Sequence, residues 1–171
     1  MKKIFVILSC CFLIASCTIR NATILRYNSE NAESLQIGKT GDIKLKKSYA
    51  LFVGKDSNST DTLNYASLWG YVKNGDTLRT FENNEPWRFE HGSVNCVAIY
   101  SRITSRYRSI GKKYFFSTKI NMKPIEAANH NVIKHLFNND KSSFKAFKKQ
   151  NKLRSSYNVD IIKKYIQLNC Q

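Results

Sequence analysis

Apolar and polar residues alternate along much of the stretch from residue 43 to residue 123, which is the pattern of strands with one buried face. The alternation is clear over residues 43–53, where Lys47 is the exception. Asn74 and Gly75 supply two residues that tolerate positive φ in a tight hairpin turn. These features predict a largely antiparallel sheet of about five to seven strands across residues 43–123.

After Pro124 the apolar residues recur every three or four positions, which is the period of an amphipathic helix. We predict two or three helices across residues 125–168, the second of them capped by Ser142 or Ser143. Strands followed by helices are typical of the α+β class, so we expect the helices to pack on one face of the sheet. No repeat or linker is visible, and residues 42–171 are predicted to form a single α+β domain.

The first seventeen residues have the pattern of an export signal. Lys2 and Lys3 precede an apolar run that is as long as a signal-peptide core and too short to span a bilayer. The next residues, Ile14-Ala15-Ser16-Cys17, resemble the lipobox of bacterial lipoproteins. That resemblance implies that residues 1–16 are a lipoprotein signal peptide and that Cys17 carries acyl chains such as palmitate. An ordinary signal peptide with an incidental cysteine, or an uncleaved anchor, are the alternatives.

A lipidated Cys17 would hold the chain on a membrane without a spanning helix, because each buried methylene contributes about 0.8 kcal/mol. The next residue is Thr18, whereas an aspartate there would resemble the inner-membrane retention signal. The resemblance therefore implies the outer membrane, and we expect the protein to face the periplasm. Residues 17–41 are polar and rich in Asn and Ser, which predicts a lipid anchor followed by a flexible tether.

Positive charge is concentrated in the second half of the chain. Residues 91–171 hold sixteen Lys and Arg against three acidic residues, whereas residues 17–90 hold ten against nine. Such asymmetry favours an anionic partner. We expect an anionic envelope component or an acidic protein and no nucleic acid, because the chain is exported and lacks nucleic-acid-binding motifs. Lysine and asparagine that are simply abundant in the organism's proteins would give the same composition.

Spacing in the predicted hairpin over residues 94–123, with its turn at 109–113, places a set of polar side chains on one solvent-exposed face. This face is a candidate anion-binding surface, and its alternative role is a solvated surface that discourages edge-to-edge aggregation. Its members are Tyr100, Arg102, Arg106, Arg108, Lys119 and Lys123.

Cys96 and Cys170 are the cysteines that remain after the signal and the anchor, and an oxidising compartment would allow them to form a disulfide. A buried Cys96 and a free Cys170 are the alternative. Asp-Thr-Leu occurs twice and is similar to an O-glycosylation acceptor of exported Gram-negative proteins. Thr62 and Thr77 are the candidate acceptors, and both are predicted to lie in loops or turns.

No catalytic constellation is visible, so we predict that the protein is not an enzyme. His130 and His135 are a poor metal pair; adding Cys96 and His91 would offer the atom types of a zinc site without a familiar spacing, and no cofactor or metal motif is present. Cys96 with His130 or His135 could form a nucleophile and a base, but Cys96 is predicted on a strand rather than at an activating helix N-terminus.

The sequence therefore favours a membrane-tethered lipoprotein that is a non-enzymatic binding or structural module. Its basic second half would contact an anionic envelope component or an acidic protein. The alternative function is a periplasmic inhibitor or immunity-type lipoprotein that binds one protein target.

Overall fold

A computed structural model describes residues 18–27, 34–55, 60–81, 86–106, 109–153 and 158–170 of the 171-residue chain. Within these residues the chain forms ten strands and three helices. The strands are β1 (Thr18–Tyr27), β2 (Leu35–Leu45), β3 (Tyr49–Gly54), β4 (Thr60–Asn64), β5 (Leu68–Lys73), β6 (Asp76–Arg79), β7 (Trp87–Gly92), β8 (Ala98–Arg106), β9 (Ser109–Ser117) and β10 (Ile125–Glu126). The helices are α1 (Asn129–Leu136), α2 (Lys141–Gln150) and α3 (Asn158–Asn169).

All ten strands belong to one antiparallel sheet, in the order β10-β9-β8-β7-β6-β5-β1-β2-β3-β4. The predicted antiparallel sheet with helices after it is confirmed, but the predicted count of five to seven strands is wrong. The hairpin between β5 and β6 has positive φ at both Asn74 (51°) and Gly75 (82°), as its turn residues indicated.

The predicted tether over residues 17–41 is corrected, because β1 and most of β2 lie in that stretch. Strand β1 is central in the sheet, with β2 on one side and β5 on the other. Its Ala22 and Ile24 are almost fully buried. Register shifts between Ile19 and Ala22 and again between Thr23 and Leu25 break the alternation, which is why the sequence pattern does not indicate a strand there.

The first five strands share an apolar core, which we call the N-terminal core. β4 leads directly into β5 through a turn at which Ser67 donates its backbone N–H to the Asn64 carbonyl. This turn brings the edge strand β4 back towards β5 and β1. Tyr71 lies in this core, where burial raises its pKa to about 12. The buried members are Ala22, Ile24, Ile43, Ala50, Phe52, Leu63, Tyr65, Leu68 and Tyr71.

The three helices pack against β8 and β9. Three of the helix residues at this contact have no solvent exposure: Val132, Ile161 and Ile162. On the strand side, Ile99 and Phe116 are also fully buried. The disulfide between Cys96 and Cys170 joins the start of β8 to the end of α3, with the two Cα atoms 5.7 Å apart. None of the described helices has the length and apolar character that spanning a membrane requires.

A second apolar cluster lies on the opposite side of β8, where Ala98 and Tyr100 are fully buried. The segment after β9, residues 118–124, covers it with Ile120, which is 5% exposed. We call residues 118–124 the crossing segment. Both sides of β8 are thus buried over its first half, and a half-buried strand was expected there.

The start of the helical region also differs from the sequence prediction. Ile125 and Glu126 pair with β9 as the short strand β10, and α1 begins only at Asn129. α2 is capped by Asp140 rather than by Ser142 or Ser143, because its carboxylate accepts both serine backbone N–H groups.

Candidate functional site

Helix α2 carries a row of lysines that we call the α2 lysine stripe: Lys141, Lys145, Lys148 and Lys149. Successive members along the helix surface are three or four positions apart, so they lie along one side of the helix. Three of them are exposed, and Lys148 is half-buried with its ammonium nitrogen 5.7 Å from the centre of the Phe144 ring. The adjoining side of α2 carries Phe144 and Phe147, which pack into the apolar cluster between the helices and strands β8 and β9.

The stripe is electrostatically unfavourable within the helix itself. Like charges at i and i+4 destabilise a helix by about 0.2–0.5 kcal/mol per pair, and Lys145 has such a neighbour on each side. Lys141 also places a cation in the first turn, where the helix dipole favours an anion, and α2 has no acidic residue in that turn. Local helix stability therefore does not explain why these four positions are lysine.

The nearest acidic residue in sequence does not neutralise the stripe. Both carboxylate oxygens of Asp140 accept hydrogen bonds from Ser142 and Ser143, through side-chain hydroxyls as well as backbone N–H groups. These bonds hold the pKa of Asp140 well below its usual range, so the carboxylate is ionised and engaged. Within the described part of the chain, no stripe lysine is in an ion pair.

The predicted anion-binding face is corrected at its centre, because Tyr100 is fully buried. Its hydroxyl accepts a hydrogen bond from Arg79 at 3.1 Å. Arg102 is half-buried with its guanidinium 5.8 Å from the centre of the Trp87 ring. Over this part of β8 the predicted face is therefore not a free surface. Tyr100 and Trp87 belong to the second apolar cluster, and Arg102 packs against Trp87.

The remaining members of that face are not gathered on a strand surface. β9 ends at Ser117, so Lys119 and Lys123 lie on the crossing segment, where both are exposed. The expected turn at 109–113 is wrong, because Arg106 already pairs with Ser109. The side chain of Arg106 and all of Arg108 lie outside the described residues.

Arg79 is the buried cation that sequence reasoning did not identify. It is fully buried on β6, and its guanidinium lies 4.4 Å from the centre of the Phe81 ring and 5.3 Å from that of Trp69. It donates hydrogen bonds to the Tyr100 hydroxyl and to the Ile120 carbonyl of the crossing segment. Its role is structural: it fastens the crossing segment to the sheet. In the sequence, an arginine at the end of a short strand does not indicate that its side chain is buried.

A groove of about 550 Å³ is lined by residues on or next to strands β6, β7, β8 and β9. Ile103 lies in it with 74% of its side chain exposed. Two ion pairs lie beside it, one from Arg88 to Asp76 at 2.7 Å and one from Lys112 to Glu90 at 2.8 Å.

The charges of the groove are largely satisfied by one another. Partial burial of Glu90 tends to raise its pKa, but hydrogen bonds from Lys112 and Ser101 outweigh this effect, so the pKa is lowered. The bond to Glu90 in turn raises the pKa of Lys112. The groove thus combines an exposed apolar centre with a polar rim of both signs.

Candidate catalytic residues are not brought together. Cys96 is consumed by the disulfide, so it offers no thiol. His135 is half-buried with its ring centre 6.3 Å from that of Phe116, and burial together with neighbouring Lys134 lowers its pKa. No three His, Cys, Asp or Glu side chains meet at a metal-binding distance within the residues that the structure describes.

The two candidate glycosylation sites lie on strands rather than in loops. Thr62 is exposed on the edge strand β4. Thr77 is half-buried on β6 and pairs with Val72 of β5. Cys17 lies outside the described residues, next to the first residue of β1.

Comparison with known proteins finds no match to this chain among family models, curated proteins or solved structures. The function must therefore be inferred from the side chains described above.

Proposed function

We propose that the protein is a lipoprotein of the cell envelope, anchored through Cys17 to the periplasmic face of the outer membrane. The mature domain is a non-enzymatic binding module, and its α2 lysine stripe contacts an anionic envelope component. The observation that carries this proposal is the α2 lysine stripe, for which the described residues supply no ion pair. Four cations on one side of a ten-residue helix destabilise that helix locally, and an anionic partner would relieve their repulsion.

The test uses a soluble form beginning at Thr18, mixed with purified cell-wall sacculi. Binding should be present at low salt and lost at high salt, because exposed charges are screened over about 8 Å at physiological ionic strength. Binding that is absent, or that does not change with salt, would overturn the proposal.

Charge-reversal variants test whether the α2 lysine stripe is the binding surface. Lys145→Glu with Lys149→Glu should weaken binding by more than about tenfold, since each basic side chain near an anionic surface contributes about 1 kcal/mol. Lys39→Glu with Lys55→Glu makes the same change of net charge at exposed positions outside α2 and should weaken binding much less. The carboxylate introduced by Lys145→Glu would attract Lys141 one helical turn away, whereas the two new carboxylates would repel each other as the two lysines do. We therefore expect the helix stability of the first variant to change by no more than about 1 kcal/mol.

A second candidate function is an inhibitor or immunity-type lipoprotein, and the groove around Ile103 favours it. An exposed apolar residue inside a polar rim is the arrangement of a protein-binding hot spot. Affinity purification of the full-length protein from cross-linked cells, with Cys17→Ala as control, distinguishes the two functions. One stoichiometric protein that persists at high salt and is lost with Ile103→Asp would favour the inhibitor.

A further inference from the structure

The position of β1 bears on how the domain meets the membrane. β1 begins at Thr18, the residue that follows Cys17, and it is hydrogen-bonded to β2 from its first residue, where Thr18 pairs with Lys44. No stretch of free chain separates the proposed lipid anchor from the sheet. The end of the sheet that contains Thr18 must therefore lie close to the lipid.

That end of the sheet is rich in exposed or half-exposed cations, which we call the anchor-proximal cations: Arg20, Lys44, Lys46 and Lys47. Paired residues across strands are about 5 Å apart, and a strand advances about 3.3 Å per residue. Lys44 is thus within one Debye length of the residue next to the anchor, and Lys46 is two positions farther along.

The turn that carries these cations is held in place. Lys46 donates its backbone N–H to the Tyr49 carbonyl at 2.8 Å, which closes the turn between β2 and β3. Tyr65, from the N-terminal core, donates its hydroxyl to the Lys46 carbonyl at 2.6 Å. The side chain of Lys47 at the tip is exposed.

The described residues do not neutralise the cations at this end. Asp42 is the acidic residue beside them, and it accepts the backbone N–H of Asn21 at 3.0 Å. In the stretches of chain that the structure describes, none of the four cations is in an ion pair.

We propose that the anchor-proximal cations bind the anionic phospholipid headgroups of the leaflet that holds the acyl chains. They orient the domain with the β2–β3 turn against the membrane, and they leave α2 free for another partner. A lipid anchor and a basic patch together give a firmer attachment than either alone. This inference rests on the proposed lipidation of Cys17.

The experiment is amine footprinting of the purified lipidated protein in vesicles, because each lysine reports on its own surroundings. The vesicles are phosphatidylcholine alone, or phosphatidylcholine mixed with phosphatidylglycerol. We expect modification of Lys46 and Lys47 to fall about fivefold in the mixed vesicles and to recover at high salt. Modification of Lys145 and Lys149 should not change.

Three results would overturn the proposal. They are an equal change in the modification of both lysine pairs on adding phosphatidylglycerol, protection of the α2 pair instead, or protection that is the same without phosphatidylglycerol. Hydrogen exchange is a second measurement, in which the backbone amides next to these lysines should be protected by the mixed vesicles. Lys44→Gln with Lys46→Gln and Lys47→Gln should abolish that protection. Lys141→Gln with Lys145→Gln and Lys149→Gln is the control of equal charge.

Mass spectrometry of the Cys17 peptide keeps this test separate from the anchor itself. A lipidated Cys17 without protection of Lys46 and Lys47 would leave the anchor in place and overturn only the orientation. An unmodified Cys17 would overturn the lipoprotein proposal.

Discussion

Arg79 shows how one buried residue can join two parts of the fold. Its guanidinium is fully buried, lies against the rings of Trp69 and Phe81, and donates to the Ile120 carbonyl. Cation–π contacts and several hydrogen bonds offset the cost of desolvating the charge. Because a planar fork of donors reaches acceptors on two different elements, a lysine could not replace it.

Arg79→Lys is therefore predicted to lower the free energy of unfolding by about 3 kcal/mol, since a single ammonium leaves buried acceptors unpaired. Urea unfolding followed by tryptophan fluorescence measures the change. Arg88→Lys is the matched control, because Arg88 is 54% exposed and its ion pair with Asp76 is a surface pair worth under about 1 kcal/mol. Equal losses in the two variants would contradict the structural role given to Arg79.

Asp140 is predicted to make stability depend on pH at the acid end. Hydrogen bonds from Ser142 and Ser143 lower its pKa in the folded protein, so its contribution is fully present above the unfolded pKa of about 3.9. That contribution is lost as the pH falls through the lower, folded value. Asp140→Ala should lower the melting temperature at pH 6 by a few degrees.

Thermal melts of the wild type and of Asp140→Ala at a series of pH values measure this effect. The difference between the two proteins should shrink as the pH falls from 5 towards 2. A difference that is constant over this range would show that the ionised carboxylate does not stabilise α2.

At the level of elements, sequence patterns identified strands where the register is regular. The turn residues Asn74 and Gly75 gave the β5–β6 hairpin. Lys47, the exception to the alternation over residues 43–53, lies in the turn between β2 and β3, so the apparent single strand is two. β1 was missed because its bulges interrupt the period of two on which such reading depends.

The disulfide is predicted to be a major stabiliser of the helical region. It closes a loop over a sequence separation of 74, for which the chain-entropy relation gives about 4 kcal/mol. Cys96→Ser with Cys170→Ser should lower the unfolding free energy by about that amount in guanidinium titrations. Wild type under strong reductant should match the double variant, and a wild type that is insensitive to reductant would contradict the prediction.

For the whole molecule, the class of the fold could be predicted from the sequence, but the location of the candidate site could not. Alternation along β8 separated Tyr100 from Ile99 correctly, yet both side chains are fully buried. Periodicity tells which residues share a face, and it does not tell which faces the rest of the chain covers. The crossing segment and its fastening by Arg79 depend on contacts between distant residues, which no local pattern records.

The charge asymmetry of the sequence was a useful signal, but it did not locate the candidate site. Four lysines of the second half form a row on α2, while Lys119 and Lys123 lie on the crossing segment rather than on the β8–β9 hairpin. The nearly neutral first half also places cations together, because β1 pairs with β2 from Thr18 onwards and Asp42 beside them is engaged by Asn21. One group of cations in the described part of the molecule therefore lies on α2, and another lies at the β2–β3 turn.

In the exported lipoprotein that we propose, the disulfide also sets an order of events, because the chain would cross the membrane with its N-terminus first. Cys96 emerges early, whereas its partner follows 74 positions later, after all three helices have passed. Until then the thiol at the start of β8 is open to wrong partners, and the helix-side surface of the sheet is bare. The N-terminal core is complete before that interval begins, since its last strand ends at Lys73. Half of the sheet can therefore fold first, while the other half is completed only when the disulfide forms.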